Sequence, residues 1–139
     1  MLLCLKCNKV YNQKTIKNNQ CKLKECNGKV VEIDELFISV IAELNRKGYS
    51  TLFCCSGHLG ESNSNSYIFF EDYIKLSSLP QGYLYDQDMY PTVDWSKWQV
   101  KNTIRKVFDD KKSINDLSRD IFENALSVLK WAEGLENLS

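Results

Sequence analysis

Between residues 34 and 47, apolar side chains fall at Leu36, Phe37, Val40, Ile41 and Leu44. That spacing predicts a helix with one buried stripe. Asp34 and Glu35 suit its first turn, Arg46 and Lys47 its last, and Gly48 a stop just beyond it. The period then shortens. Tyr49 to Cys55 and Ser66 to Phe70 read as two strands rich in aromatic and β-branched residues, joined by the polar segment 59–65. Pro80-Gln81-Gly82 reads as a turn, Tyr83 to Tyr85 as the start of a short strand, and 86–98 as irregular. Val100 to Phe108 fits either period, and its β-branched content favours a strand. A second, longer helix is expected over 114–133, opened by Ser113 with Asp116 three residues on and ended by Gly134. Leu117, Ile121, Ala125, Val128, Leu129 and Ala132 form its buried stripe. Phe122, Leu126 and Trp131 widen that stripe, so the helix should be well covered. Consecutive strands with some short connections imply an α+β fold: a mostly antiparallel sheet of three to four strands with two helices on one face.

Residues 1–31 have no such pattern and are organised by cysteine instead. Cys4 and Cys7 form a C-x2-C pair, Cys21 and Cys26 a C-x4-C pair, and Asn27-Gly28 supplies the turn after the second. Two cysteine knuckles of this kind complete a tetrahedral four-sulfur site. The chain therefore divides into a zinc ribbon over 1–31 and an α+β domain over 32–139, with structural Zn2+ supplying the folding energy that so small a module lacks. Six cysteines with no apolar run near the roughly 18–20 residues of a membrane span, and only Met1 to Leu5 ahead of Lys6, read as a cytosolic chain with no membrane association.

The net charge of zero conceals an asymmetry. Residues 1–31 carry seven lysines against Glu25, a net +6, whereas 32–139 carry eleven basic and seventeen acidic residues, a net −6. A basic ribbon can face nucleic acid or a partner protein, or it can dock on its own acidic body.

Outside the ribbon the chemistry concentrates in Cys54-Cys55-Ser56-Gly57-His58, which holds the single histidine and the two remaining cysteines at a strand end. Strand alternation sends Cys54 and Cys55 to opposite faces. Ser56 and Gly57 can present backbone N–H groups to an anion, with His58 beside them. Arg105 offers a fork for phosphate or carboxylate and, if its strand lies beside 49–55, converges with His58 on one pocket. Tyr67, Phe69, Tyr83, Tyr85, Trp95 and Trp98 can supply a stacking wall for a base. Each residue also has a plain structural use: surface histidine, packed thiol, ion-paired arginine, core aromatic. Cys55 three residues before His58 admits a Cys-His enzyme as well, although no orienting Asn or Asp stands at a recognisable spacing.

Gly48-Tyr49-Ser50-Thr51 running into Cys54-Cys55-Ser56-Gly57-His58, with Thr103-Ile104-Arg105 and Leu129 to Leu135 later, resembles small zinc-ribbon proteins of low-GC bacteria and their phages and mobile elements. Cys55-Ser56-Gly57 is also similar to a run after a strand in the wybutosine-synthesising tRNA methyltransferase family, with His58 where that family has arginine. The second likeness implies a turn that lines an anionic or nucleotide pocket and carries no methyl transfer with it. The first implies a phage or mobile-element protein that sequesters a signalling nucleotide or blocks a host defence factor. The expected function is thus a zinc-containing binding protein that holds an anionic small molecule, a nucleotide foremost, through Cys55, Ser56, Gly57, His58 and Arg105. The alternatives are an adaptor acting through the ribbon and a Cys-His enzyme.

Overall fold

The computed structural model describes residues 1–11, 20–23, 25–59, 64–97 and 102–139. Two antiparallel sheets and three α-helices make up the described chain. In the ribbon, β1 (Leu2–Cys4) pairs with both β2 (Val10–Tyr11) and β3 (Val30–Glu32). β3 thus runs across the expected boundary at 31/32.

The turn Asp34 to Phe37 is 3-10, and α1 (Ile38–Arg46) follows, so the expected helix starts as a tighter coil. Asp34 is its cap: Oδ1 accepts from Leu36 N at 3.2 Å. Gly48 stops α1 with φ of 95°, a conformation that costs glycine little.

The second sheet has the order β4 (Thr51–Cys55), β5 (Asn65–Phe70), β7 (Thr103–Val107), β6 (Leu84–Tyr85), every pair antiparallel. The expected start of the β7 strand at Val100 lies outside the described residues. The stretch expected to be irregular contains two helical turns, α2 (Asp86–Met89) and a 3-10 turn at Trp95–Lys97.

The last helix, α3 (Ile114–Gly134), is capped as the sequence implies, Ser113 Oγ accepting from Asp116 N at 3.2 Å. Gly134 is its final residue rather than a stop beyond it. The ammonium of Lys47, 6% exposed, serves the C-terminal end, donating to the carbonyls of Ala132, Glu133 and Leu135. α1 and α3 pack together on one face of the sheet, where Ile68, Phe70 and Ile104 meet Phe37, Ile41, Leu44, Val128 and Ala132. Leu3 and Ile33 belong to this same core, so ribbon and body share one apolar interior.

Two expectations about burial need correction. Phe122 and Leu126 are 53% and 50% exposed. The stripe through Leu117, Ile121, Ala125, Val128 and Ala132 already fills the contact with the sheet, and positions 122 and 126 lie one residue around the helix from it. Tyr83 belongs to the core and Tyr85 packs against it, so neither is a stacking wall. Trp98 lies outside the described residues. Among those described, no helix is long and apolar enough to cross a membrane.

Candidate functional site

The four ribbon thiols are free and converge: their Sγ atoms all lie within 4.8 Å of one another. Cys4 Sγ is 3.7 Å from Cys26 Sγ, and Cys7 Sγ is 3.6 Å from Cys21 Sγ. These separations are too long for disulfides, which need about 2.05 Å. They suit four sulfurs at about 2.3 Å from one ion, whose tetrahedron has edges of about 3.8 Å. Each knuckle is built by its own backbone. Asn8 N donates to Cys4 O and Cys26 N to Leu23 O, while Asn8, Glu25 and Asn27 take positive φ to make the bends. The Tyr11 hydroxyl is 3.0 Å from Cys21 Sγ. Burial raises the Cys21 pKa, but hydrogen bonds from Tyr11, the Leu23 N–H and two neighbouring thiols outweigh it and bring it down to about 6. The cluster can hold a metal ion. Lys6 Nζ donates to Cys26 O at 2.8 Å, so at least one ribbon lysine serves the knuckle itself. Lys14, Lys17 and Lys24 lie outside the described residues.

The strand end at Cys55 is built differently from expectation. Register places Cys54 opposite Ile68, on the helix side, and Cys55 opposite Tyr67, on the other face. Burial, with the Asp34 charge adding to it, pushes the Cys54 thiol up to about 12. Cys55 is 8% exposed, with Sγ 3.2 Å from His58 Nε2. The N–H of Ser56, expected to meet an outside anion, donates to Asp34 Oδ2 at 3.2 Å, and the Ser56 hydroxyl donates to the same oxygen at 2.6 Å. His58 N donates to Ser64 Oγ. The turn therefore holds an anion, but the anion is the protein's own carboxylate. Gly57 has φ of 121°, and a Cβ there would meet Phe108 at 3.0 Å and Ile121 at 3.2 Å. The turn is thus pressed onto α3. Ser66 Oγ donates to Cys55 O and meets the Tyr83 hydroxyl at 2.6 Å, and Asn124 Nδ2 donates to that hydroxyl, tying the strand end to α3 through buried polar groups.

Ser56, Gly57 and His58 line a cleft of about 370 Å³ with Asp34, Leu36 and Phe122. Arg105 does not join them. β5 lies between β4 and β7, so the condition for convergence with His58 is not met. Arg105 instead grips Asp86 through Nε to Oδ1 at 2.9 Å and through its second terminal nitrogen to Oδ2 at 3.1 Å, and it also donates to Asn65 Oδ1. The bond to Asp86 pushes the guanidinium pKa up further, so it stays charged. Its carbon lies 4.8 Å from the Tyr67 ring centroid.

Arg105 and Tyr67 line a second recess, of about 290 Å³, with Phe53, Phe69 and Thr103. This recess opens on the sheet face opposite α1 and α3. Phe53 is 69% exposed, and its ring centroid is 6.0 Å from that of Phe69. Thr103 is 2% exposed, and its Oγ1 has no hydrogen-bond partner among the described residues.

No protein-family model, curated protein or solved structure matches the chain.

Sequence reasoning missed Asp34, Asp86 and Phe53 as site residues. Asp34 carried a usable signal, a carboxylate at a helix start that caps by habit. The Arg105–Asp86 pair carried none, since nineteen positions separate its members. Cys55 lines neither recess, while its partner His58 lines the first.

Proposed function

We propose that this chain is a zinc-braced binding protein that takes a nucleotide through its base, on the open face of the four-stranded sheet. One observation carries the reading. Phe53, Tyr67 and Phe69 offer aromatic surface in a recess where the Arg105 guanidinium already lies over Tyr67, fixed by Asp86 and Asn65. Base faces stack on aromatic rings and on arginine planes, and a pre-set arginine loses little freedom on binding. Because Asp86 offsets its charge, Arg105 suits the base rather than the phosphate. The recess has room for one ring system, below the usual range for larger ligands.

Zinc fits the all-thiolate tetrahedral donor set better than harder cations do; iron is the other ion that favours it. Its role is structural: four sulfurs close the coordination sphere and leave no open position.

The test is a thermal-shift screen with nucleoside monophosphates, diphosphates and cyclic dinucleotides. A ligand at about 100 times its Kd adds about 2.7 kcal/mol, which for a chain of this size raises Tm by about 9 °C. Phe53→Ala and Tyr67→Ala should each weaken binding by about 1–3 kcal/mol, roughly 5- to 150-fold. No shift with any nucleotide, or a shift that survives both substitutions, overturns the reading. Metal analysis should find one zinc per chain in colourless protein; a charge-transfer colour would assign iron instead.

A further inference from the structure

The cleft beside His58 faces the helices, so the base recess does not use it. Its walls are mostly apolar, and apolar surface continues out of it. Leu36 and Leu59 are exposed at its rim, Phe122 stands half-exposed in its wall, and Leu126 stands half-exposed one helical turn along α3. The row is longer than the cleft, more than one small ligand would cover. A ridge with anchors four residues apart beside a groove is the shape that receives an amphipathic segment.

Asp34 supplies the charge. Its carboxylate accepts from Leu36 N, Ser56 N and Ser56 Oγ, yet among the described residues no lysine, arginine or histidine nitrogen forms an ion pair with it. The negative charge is therefore held firmly by neutral donors at the edge of an apolar cleft. The −6 of residues 32–139 is offset by the +6 of residues 1–31, so the attraction is local to this carboxylate rather than a field of the whole chain.

We infer that this cleft docks a basic amphipathic segment of a partner protein, with an apolar side chain entering between Leu36, Leu59 and Phe122 and a lysine or arginine reaching Asp34. The strand-end turn then has a function that does not require a free anion. Ser56 holds Asp34 in place, and Gly57 keeps the floor close to Ile121.

Fluorescence anisotropy with a labelled leucine–lysine amphipathic peptide, on the full chain, tests this. The expected result is saturable binding, with a leucine–glutamate peptide of the same pattern failing to bind. Asp34→Asn removes the charge and should weaken binding roughly tenfold. Its single oxygen can keep the Leu36 cap, but its amide nitrogen then faces the buried Ser56 N–H, so Tm should fall as well, and binding is read well below that Tm. Phe122→Ser, at an exposed position, should weaken binding by a similar factor. Asp72→Asn removes an equal charge from an exposed position outside the cleft and should leave binding unchanged. The proposal fails if Asp72→Asn weakens binding as much as Asp34→Asn, because the attraction is then diffuse. It fails also if the glutamate peptide binds equally, or if octylamine saturates the cleft as tightly as the peptide, which would mark a small-amine site instead.

Discussion

A methyl group added at residue 28 tests the metal site most directly. An alanine Cβ there would lie 2.5 Å from Cys4 Sγ, 2.6 Å from Lys6 Cβ and 3.2 Å from Cys26 Sγ. Ordinary contacts of this kind sit at about 3.5–4.0 Å, so Cys4 Sγ has to retreat by about 1 Å. Metal–sulfur bonds tolerate only about 0.2 Å, so the sulfur cannot make that move and keep its place in a tetrahedron. Either the knuckle shifts as a whole or the methyl is squeezed. Overpacking of this sort costs about 1–3 kcal/mol. On the proposed reading of a module folded by its ion, that cost appears as metal affinity, lowered roughly 5- to 150-fold. Competition against a chromophoric chelator, with Co2+ as a spectroscopic stand-in, reads the change. Gly134→Ala is the internal control, because a Cβ there meets nothing within 4 Å and alanine improves a helix end. Gly28→Ala binding metal as tightly as the parent would refute the packing argument, as would an equal loss in Gly134→Ala.

Other perturbations reach the body. Lys47→Met removes the buried ammonium that donates to three carbonyls at the end of α3 and should cost about 3–5 kcal/mol in chemical denaturation. Tyr83→Phe deletes the hydroxyl between Ser66 and Asn124 and should cost about 1–3 kcal/mol, leaving two buried groups short of a partner. Cys54 has a folded pKa raised to about 12 from 9.0. Its contribution is therefore complete below pH 9 and lost as pH rises towards 12, because the unfolded chain releases the proton first. Between those limits the parent should lose more stability than Cys54→Ala, measured by urea denaturation at each pH. Glu43 has a lowered pKa, held chiefly by its bond to Arg46. Its contribution is present above the ordinary glutamate range and fades in acid, and Arg46→Met should flatten that limb of the curve.

Periodicity made the helices and strands legible. The stripe through Val40, Ile41 and Leu44 and the long repeat from Leu117 to Ala132 are buried as their spacing implies, and alternation put Cys54 and Cys55 on opposite faces. Cysteine spacing made the metal cluster legible, because ligand geometry leaves few choices of partner. The pockets were less readable. The position of Arg105 depends on strand order, and insertion of β5 between β4 and β7 is a long-range fact with no local signature. The turn at Ser56 looked ready for an outside anion because its occupant, Asp34, lies twenty-two residues earlier. Phe122 and Leu126 looked buried because hydrophobicity does not reveal where a stripe stops being covered.

Leu3 and Ile33 flank the cysteine module, yet both lie in the interior formed by Phe37, Leu44 and Ile68. The module is thus a wedge in the main hydrophobic unit rather than an appendage on a tether. If the proposed ion holds the cluster, withdrawing it would loosen that wedge and expose the centre of the molecule, so melting should be cooperative across the described chain. Scarcity of metal would then govern how much folded protein exists, and with it the occupancy of every surface the chain displays.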